Sequence, residues 1–160
     1  MAACLERLKF YLHENKVPFT VLPHREAFTA QSVAAAIHET GAHFAKVVMA
    51  WVDGRLIMLA LPAPAHVDFE RVEQMLHAQY ARVAREEEFK HLFKDCDVGA
   101  MPPFGHLYNV PVYLDRTLTQ ATEIVFNAGT HQDALKLALA DYLRLETPTI
   151  VDFIVHPVSA

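Results

Sequence analysis

Ala45-Lys46-Val47-Val48-Met49-Ala50-Trp51-Val52, then Asp53-Gly54, then Arg55-Leu56-Ile57-Met58-Leu59-Ala60-Leu61, is the stretch on which the fold turns. Two apolar runs are joined by Asp-Gly, a dipeptide suited to the positive φ angles of a two-residue hairpin turn. The first run is apolar at alternate positions on both of its faces, apart from Lys46. A strand of that kind is covered on both sides, so the hairpin belongs inside a layered domain. Lys46 is the exception that needs an account. Lysine is almost never fully buried unless paired. One reading has it at the strand's first turn, snorkelling its ammonium out to water; the other makes it a cation at a pocket mouth, aimed at a phosphate or a carboxylate.

Working outward, Ala3 to Asn15 carries Leu5, Leu8 and Leu12 at helical spacing, and Val17-Pro18 ends that helix. Phe19 to Leu22 reads as a short strand stopped by Pro23. Thr29 suits the N-cap of an alanine-rich helix running to Thr40, with Gly41 closing it. After the hairpin, Asp68 caps a helix that buries Phe69, Val72, Met75 and Leu76. A strand over 81–84 and a small helix over 86–93 follow, the latter opening on Glu86-Glu87-Glu88 as the helix dipole favours. Residues 110–114 and 123–127 read as strands, Pro111 being confined to a first residue or an edge. Residues 134–139 fit a strand or the start of a helix, and 149–155 a last short helix. Short strands mingled with helices make this an α/β or mixed α+β domain of packed layers, not a doubly wound parallel sheet.

The 160 residues constitute one domain, 1–160, of ordinary globular composition, 52% apolar and 21% charged. A chain of this size buries about two thirds of its unfolded surface and folds without staples. No apolar run reaches the ~18–20 residues of a membrane span, and the first residues lack the basic start and apolar core of a signal peptide. Cys4 and Cys96 belong to no C-x-x-C pair and read as free thiols of a reducing cytoplasm. A formal net charge of −5 argues against a general nucleic-acid coat and against a DNA-binding role; it leaves room for a protein that grips only a nucleic-acid end. The ten histidines include no H-E-x-x-H and no Cys/His pair at zinc spacing, so no metal and no other cofactor is expected.

The second marked feature is Gly99-Ala100-Met101-Pro102-Pro103-Phe104-Gly105. Glycines bracket it and two prolines stiffen it, so it holds one backbone shape; a plain turn between elements is the bland alternative. Ala128-Gly129-Thr130-His131 is a third, at a predicted strand end. No G-x-S-x-G elbow, Walker loop or dinucleotide glycine pattern is present. From these residues alone the site is an anion-binding pocket with a rigid backbone wall.

Phe44-Ala45-Lys46, the run from Asp97 through the 99–105 loop, and Val125-Phe126-Asn127-Ala128-Gly129-Thr130-His131 resemble, in order and spacing, the YbaK/EbsC family, related to the editing insertion of bacterial prolyl-tRNA synthetases. The resemblance spans about residues 5–155. It implies a single compact domain with a mixed, barrel-like sheet surrounded by helices. It also implies hydrolysis of the ester between a wrong small amino acid and the 3′ end of a tRNA, alanine on proline tRNA first, with serine, threonine or cysteine as alternatives. The family lysine falls on Lys46, and Gly99 and Ala100 join it as catalytic positions. Met101, Pro102, Pro103, Phe104, Gly105, Ala128, Gly129, Thr130 and His131 become substrate-binding positions. The implied partners are the acceptor end of aminoacyl-tRNA and prolyl-tRNA synthetase, without a membrane. Val47 departs from relatives that carry a polar residue there. A catalytically silent binder of the same fold would be marked by loss of the lysine or the glycine loop, and both are present.

Overall fold

The computed structural model describes residues 3–23 and 44–155. The Asp53-Gly54 turn is built as its chemistry demands, with φ of 46° and 82°. It joins β2 (Ala45–Val52) to β3 (Arg55–Pro62) in antiparallel register, Val52 opposite Arg55 and Lys46 opposite Leu61. A two-residue turn sets this register, and a slip of one would move every apolar residue to the wrong face. Both faces of β2 are covered. Val48, Ala50 and Val52 pack with Val72 and Phe153, while Val47, Met49 and Trp51 pack with Phe89, Phe93 and Met101.

Around this hairpin lies a five-stranded mixed sheet in the order β4-β2-β3-β5-β8. β4 (Ala81–Val83) pairs antiparallel with β2. β5 (Val112–Asp115) runs parallel to β3, and β8 (Thr149–Val151) parallel to β5. Pro111 sits immediately before β5, where its carbonyl accepts from Met58 N–H at 2.9 Å and no donor is asked of it. A second sheet has the order β1-β7-β6, from β1 (Phe19–Pro23), β6 (Glu123–Thr130) and β7 (Asp133–Ala138), all antiparallel. One parallel bridge, Phe44 to Val125, links the sheets.

The barrel-like sheet implied by the resemblance is therefore corrected: among the described residues the strands form two open sheets that do not close into a barrel. Residues 149–155 are also corrected from helix to the edge strand β8 and an irregular tail, because parallel pairing with β5 satisfies backbone groups that a helix of that length would leave open. The ambiguity at 134–139 resolves as β7, with α4 (Leu139–Glu146) beginning where the strand ends. The expected helix from Thr29 to Thr40 lies outside the described residues.

α1 (Ala3–Glu14) buries Leu5, Leu8 and Leu12 as one stripe against Phe104, Phe126, Ala128 and Tyr142. α2 (Phe69–Leu76) is capped by Asp68, which accepts from the N–H groups of Glu70 and Arg71 at 3.1 and 3.3 Å. The acidic run at 86–88 opens the short α3 (Glu86–Phe89), where Arg82 makes a two-pronged pair with Glu88 at 2.7 and 2.8 Å. That pair holds the Glu88 carboxyl down at about 2, the hydrogen bond from Arg82 being the largest cause.

The free-thiol reading of Cys4 and Cys96 is overturned. The two are joined as a disulfide, with Cα atoms 5.2 Å apart. The reason is local: Cys4 N–H donates to Asp95 O at 3.1 Å, which docks the start of α1 against the segment holding Cys96. Tyr108 closes the corner, donating to Asp95 Oδ1 at 3.1 Å under the Arg7 guanidinium, 4.6 Å from its ring centre. A cross-link over 92 residues of sequence removes loop-closure entropy worth about 4–5 kcal/mol from the unfolded chain. Cys96→Ser is expected to lower the melting temperature of the oxidised protein and to leave it within a degree or two when both proteins are melted with excess dithiothreitol. Equal melting of the oxidised forms would count against the cross-link.

Candidate active site

The site is built on two backbone segments that lock together. Gly129 N–H donates to Ala100 O at 2.8 Å, and Asp97 N–H donates to Gly129 O at 2.7 Å. His131, in the tight turn between β6 and β7, adds a third tie by donating from Nε2 to Val98 O at 3.0 Å. The 99–105 loop and the 128–131 turn, separate in sequence, are thus one backbone surface. Gly99 and Gly129 have φ of 85° and 97°, angles that side chains resist. At Gly129 a Cβ would also collide with Cys4, whereas at Gly99 it would meet only the His131 ring at 3.7 Å.

Within the loop, the prolines leave five N–H groups, at Gly99, Ala100, Met101, Phe104 and Gly105. Two are spent on the loop itself: Ala100 donates to Asp97 O at 3.0 Å and Phe104 to Pro102 O at 2.8 Å. Gly99, Met101 and Gly105 have no acceptor among the described residues. Tyr142, fully buried, donates to Pro103 O at 2.7 Å and clamps the loop from behind. Burial pushes its hydroxyl well up, so it stays a donor. Glu146, one turn on, accepts from His106 N–H at 3.3 Å and pairs with His106 Nδ1 at 2.6 Å; burial raises its carboxyl, with the His106 contacts opposing.

The sequence candidates separate by what their side chains touch. Ala100 and Ala128 are small and completely buried. Met101 packs with Met49 and Met58 under the loop, and Pro102 and Pro103 are buried beside it. The Phe104 ring is core, edge-on to Phe126 and Tyr142 at 5.6 and 5.1 Å. Gly105 is forced by packing, since a Cβ there would drive into the Val110 carbonyl and the Val112 methyl. The Thr130 hydroxyl serves its own turn, donating to Asp133 Oδ2 at 2.8 Å and accepting from Gln132 N–H at 3.2 Å.

Lys46 enters from the neighbouring sheet. The Phe44–Val125 bridge brings the start of β2 alongside β6, and the two strands stay in contact beyond it. Lys46 is half-buried and has no ion pair or hydrogen bond among the described residues. Desolvation pulls its ammonium below the ordinary lysine range. Asn127 was not among the sequence candidates. It lies two residues past Val125, as Lys46 lies two past Phe44, and it is buried with Oδ1 accepting no hydrogen bond among the described residues. A signal was available: asparagine is depleted in strands, yet it interrupts Ile124-Val125-Phe126 and Ala128 in β6.

No helix of the described residues is long and apolar enough to cross a membrane. Cys4, Asp95 and Cys96 place three potential metal-ligand atoms within 4.8 Å of one another. With the two sulfurs bonded to each other, neither is the thiolate a metal requires.

The glycine loop and the 128–131 turn thus form one backbone surface, and Lys46 enters beside them from the bridged strand. The chain belongs to the aminoacyl-tRNA editing domain family, which it matches over residues 24–145, a span that takes in Lys46, the glycine loop and the His131 turn. It is 27% identical over 153 residues to the multifunctional Ser/Thr-tRNA deacylase ProXp-y of Escherichia coli (strain K12), covering 92% of this chain and 91% of that protein. Among solved structures, a candidate trans-editing enzyme for prolyl tRNA synthetase superposes with a TM-score of 0.82 at 19% identity, over 98% of this chain and 99% of that one. The hypothetical protein APE2540 superposes at 0.83 with 15% identity, over 93% and 99%. At these identities the two structures speak for the fold.

Substitution of the glycines separates backbone conformation from crowding. Gly54→Ala, with nothing near its added methyl, is expected to cost about 1–2 kcal/mol for φ alone. Gly129→Ala adds the collision with Cys4, about 1–3 kcal/mol more. Chemical denaturation of the two variants reads the difference, and equal losses would remove Gly129 as a packing joint.

Proposed function

We propose that this chain hydrolyses the ester joining a small, wrongly attached amino acid to the 3′ end of a tRNA, with proline tRNA as the carrier. The observation that carries the reading is the set of N–H groups at Gly99, Met101 and Gly105 with no acceptor among the described residues, on a loop fixed by Tyr142 and by the Gly129 hydrogen bonds. An aminoacyl ester is already activated. Its hydrolysis requires a placed water and donors aimed at the oxygen that becomes negative when water attacks the carbonyl. Losing one such donor typically costs ~10²–10³ in rate. Lys46 holds the terminal phosphate or ribose as a point charge, and the substrate's own 2′-hydroxyl assists the water.

Selectivity rests on size. An apolar pocket separates substrates differing by a methylene by only ~1–3 kcal/mol, so the bulkier proline has to be excluded sterically. Ala100 and Ala128 supply close walls, and His131 stands over Gly99. Alanine, serine and threonine fit this account, and the name of the Escherichia coli relative supports the latter two. The likeness to a candidate trans-editing enzyme supports a connection with prolyl-tRNA synthetase.

Deacylation of proline tRNA carrying alanine, serine, threonine, cysteine or proline tests this directly. Cleavage of at least one small ester and sparing of the prolyl ester is expected; inertness toward all four small esters would overturn the reading. Lys46→Ala should lower the rate at least a hundredfold, and Lys46→Met should do so while folding as well or better. The sign follows from the lowered pKa: the penalty of burying the ammonium is fully present at neutral pH and fades as pH rises through the range where Lys46 deprotonates. The Met variant's gain in melting temperature should therefore shrink toward pH 10.5.

Salt dependence gives an independent check. An acidic protein touching only an acceptor end neutralises few phosphates, so log K against log salt should have a slope near −1 to −2. A slope of −6 or steeper would indicate a broad basic face and contradict end recognition.

A further inference from the structure

Asn127 is a buried polar residue in an apolar strand, and its Oδ1 accepts nothing among the described residues. Buried amide oxygens are nearly always satisfied, and each exception calls for a cause. Thr130 and Asp133 satisfy one another across the same turn, and Gly129 is bonded on both its N–H and its carbonyl. The orphan acceptor is therefore not a sign of local disorder in the hydrogen bonding. Its position is also particular. Counting two residues along each strand from the Phe44–Val125 bridge sets Asn127 and Lys46 on the same faces of parallel neighbours, at the end of β6 that runs into the Gly129–Ala100 joint. The register of β6 is interrupted between Asn127 and Thr130, which turns the strand at this point.

Resting on the reading of the site given above, we propose that Asn127 is a substrate-binding residue whose Oδ1 accepts a hydrogen bond from the 2′-hydroxyl of the terminal ribose. An amide oxygen needs a donor. Near the scissile ester every such substrate offers two, the 2′-hydroxyl and the α-ammonium, and an alanyl end offers no other. Lys46 decides between them: its ammonium stands on the same face with no carboxylate paired to it among the described residues, and a second cation there would be repelled across a poorly solvated gap. A neutral hydroxyl suffers no such repulsion. Accepting its proton would also fix the direction of the hydroxyl oxygen's lone pairs, which is what a hydroxyl assisting a water must have fixed. Asn127 thereby gives the site a means of reading ribose against deoxyribose without a charged residue.

Binding rather than turnover tests this. Proline tRNA ending in a non-hydrolysable 3′-amide-linked alanine is prepared in three forms: complete, lacking the 2′-hydroxyl, and lacking the α-amino group. Loss of the 2′-hydroxyl is expected to weaken binding to the wild type about tenfold and to change binding to Asn127→Ala less than twofold, since a buried acceptor left unpaired is costly and one already removed is not. Removal of the α-amino group should affect both proteins alike. A wild-type loss that vanishes in the variant for the α-amino form instead would assign the donor to the ammonium and overturn the proposal. So would equal losses in both proteins for every form, which would make Asn127 structural. Asn127→Gln keeps a neutral amide acceptor and should keep part of the 2′-hydroxyl preference, which guards against misfolding of the alanine variant. Failure of the wild type to cleave any small aminoacyl ester would instead strike the parent reading, and that outcome is seen in a separate assay.

Discussion

Gly129 is the joint on which this structure depends. Its N–H and carbonyl are both bonded to the segment that leads into the glycine loop, and Cys4 at the start of α1 sits where its side chain would be. One residue with positive φ and no Cβ therefore lets three elements meet: the end of β6, the loop after residue 96, and the N-terminal helix. The disulfide from Cys4 to Cys96 lies directly over this joint and ties the helix to the loop covalently. Shape at the site is thus set by backbone and packing, with few side chains asked to hold it.

That arrangement suits a reaction that needs geometry more than reactive groups. Oxyanion donors on a loop are useful only if they do not relax toward other acceptors. Here the prolines delete two donors, the loop's own turns consume two more, and Tyr142 pins the carbonyl of Pro103. What remains without an acceptor among the described residues, at Gly99, Met101 and Gly105, is left over by construction. Phe104, one residue past the prolines, is the anchor: its ring is fully buried among aromatic neighbours, so the loop cannot lift without opening the core.

The parts of the fold written in local chemistry were readable from the residues. Asp53-Gly54 specifies both φ signs of its turn, Asp68 names the first residue before α2, and the Leu5-Leu8-Leu12 stripe marks the buried face of α1. The parts decided by distant partners were not. Thr149-Ile150-Val151 is β-branched throughout, but so short a run becomes a strand only because β5 offers a parallel edge. Cys4 and Cys96 carry no spacing that announces a bond; docking of α1 brings them together. In the site, Lys46 and the glycine loop stood out as local anomalies, a charge in an apolar run and a stiffened turn. Asn127 was harder to see because its meaning depends on an unmet hydrogen bond, which only coordinates reveal.

The electrostatics and the walls of the site are consistent with one strategy under the proposed function. With a net charge of −5, the chain has no long-range attraction for RNA to spend, so affinity has to come from short-range fit at the acceptor end. Lys46 is costly to bury and has no partner among the described residues, so under the proposed function its charge is left to a phosphate that arrives, in contrast to Arg82, whose charge is already committed to Glu88. Small walls at Ala100 and Ala128 then act by refusal, since attraction to a methyl group is too weak to choose among small amino acids. An editing site does not need to recognise the wrong amino acid in detail. It needs to exclude the right one and to hold the end of the tRNA still while water reacts.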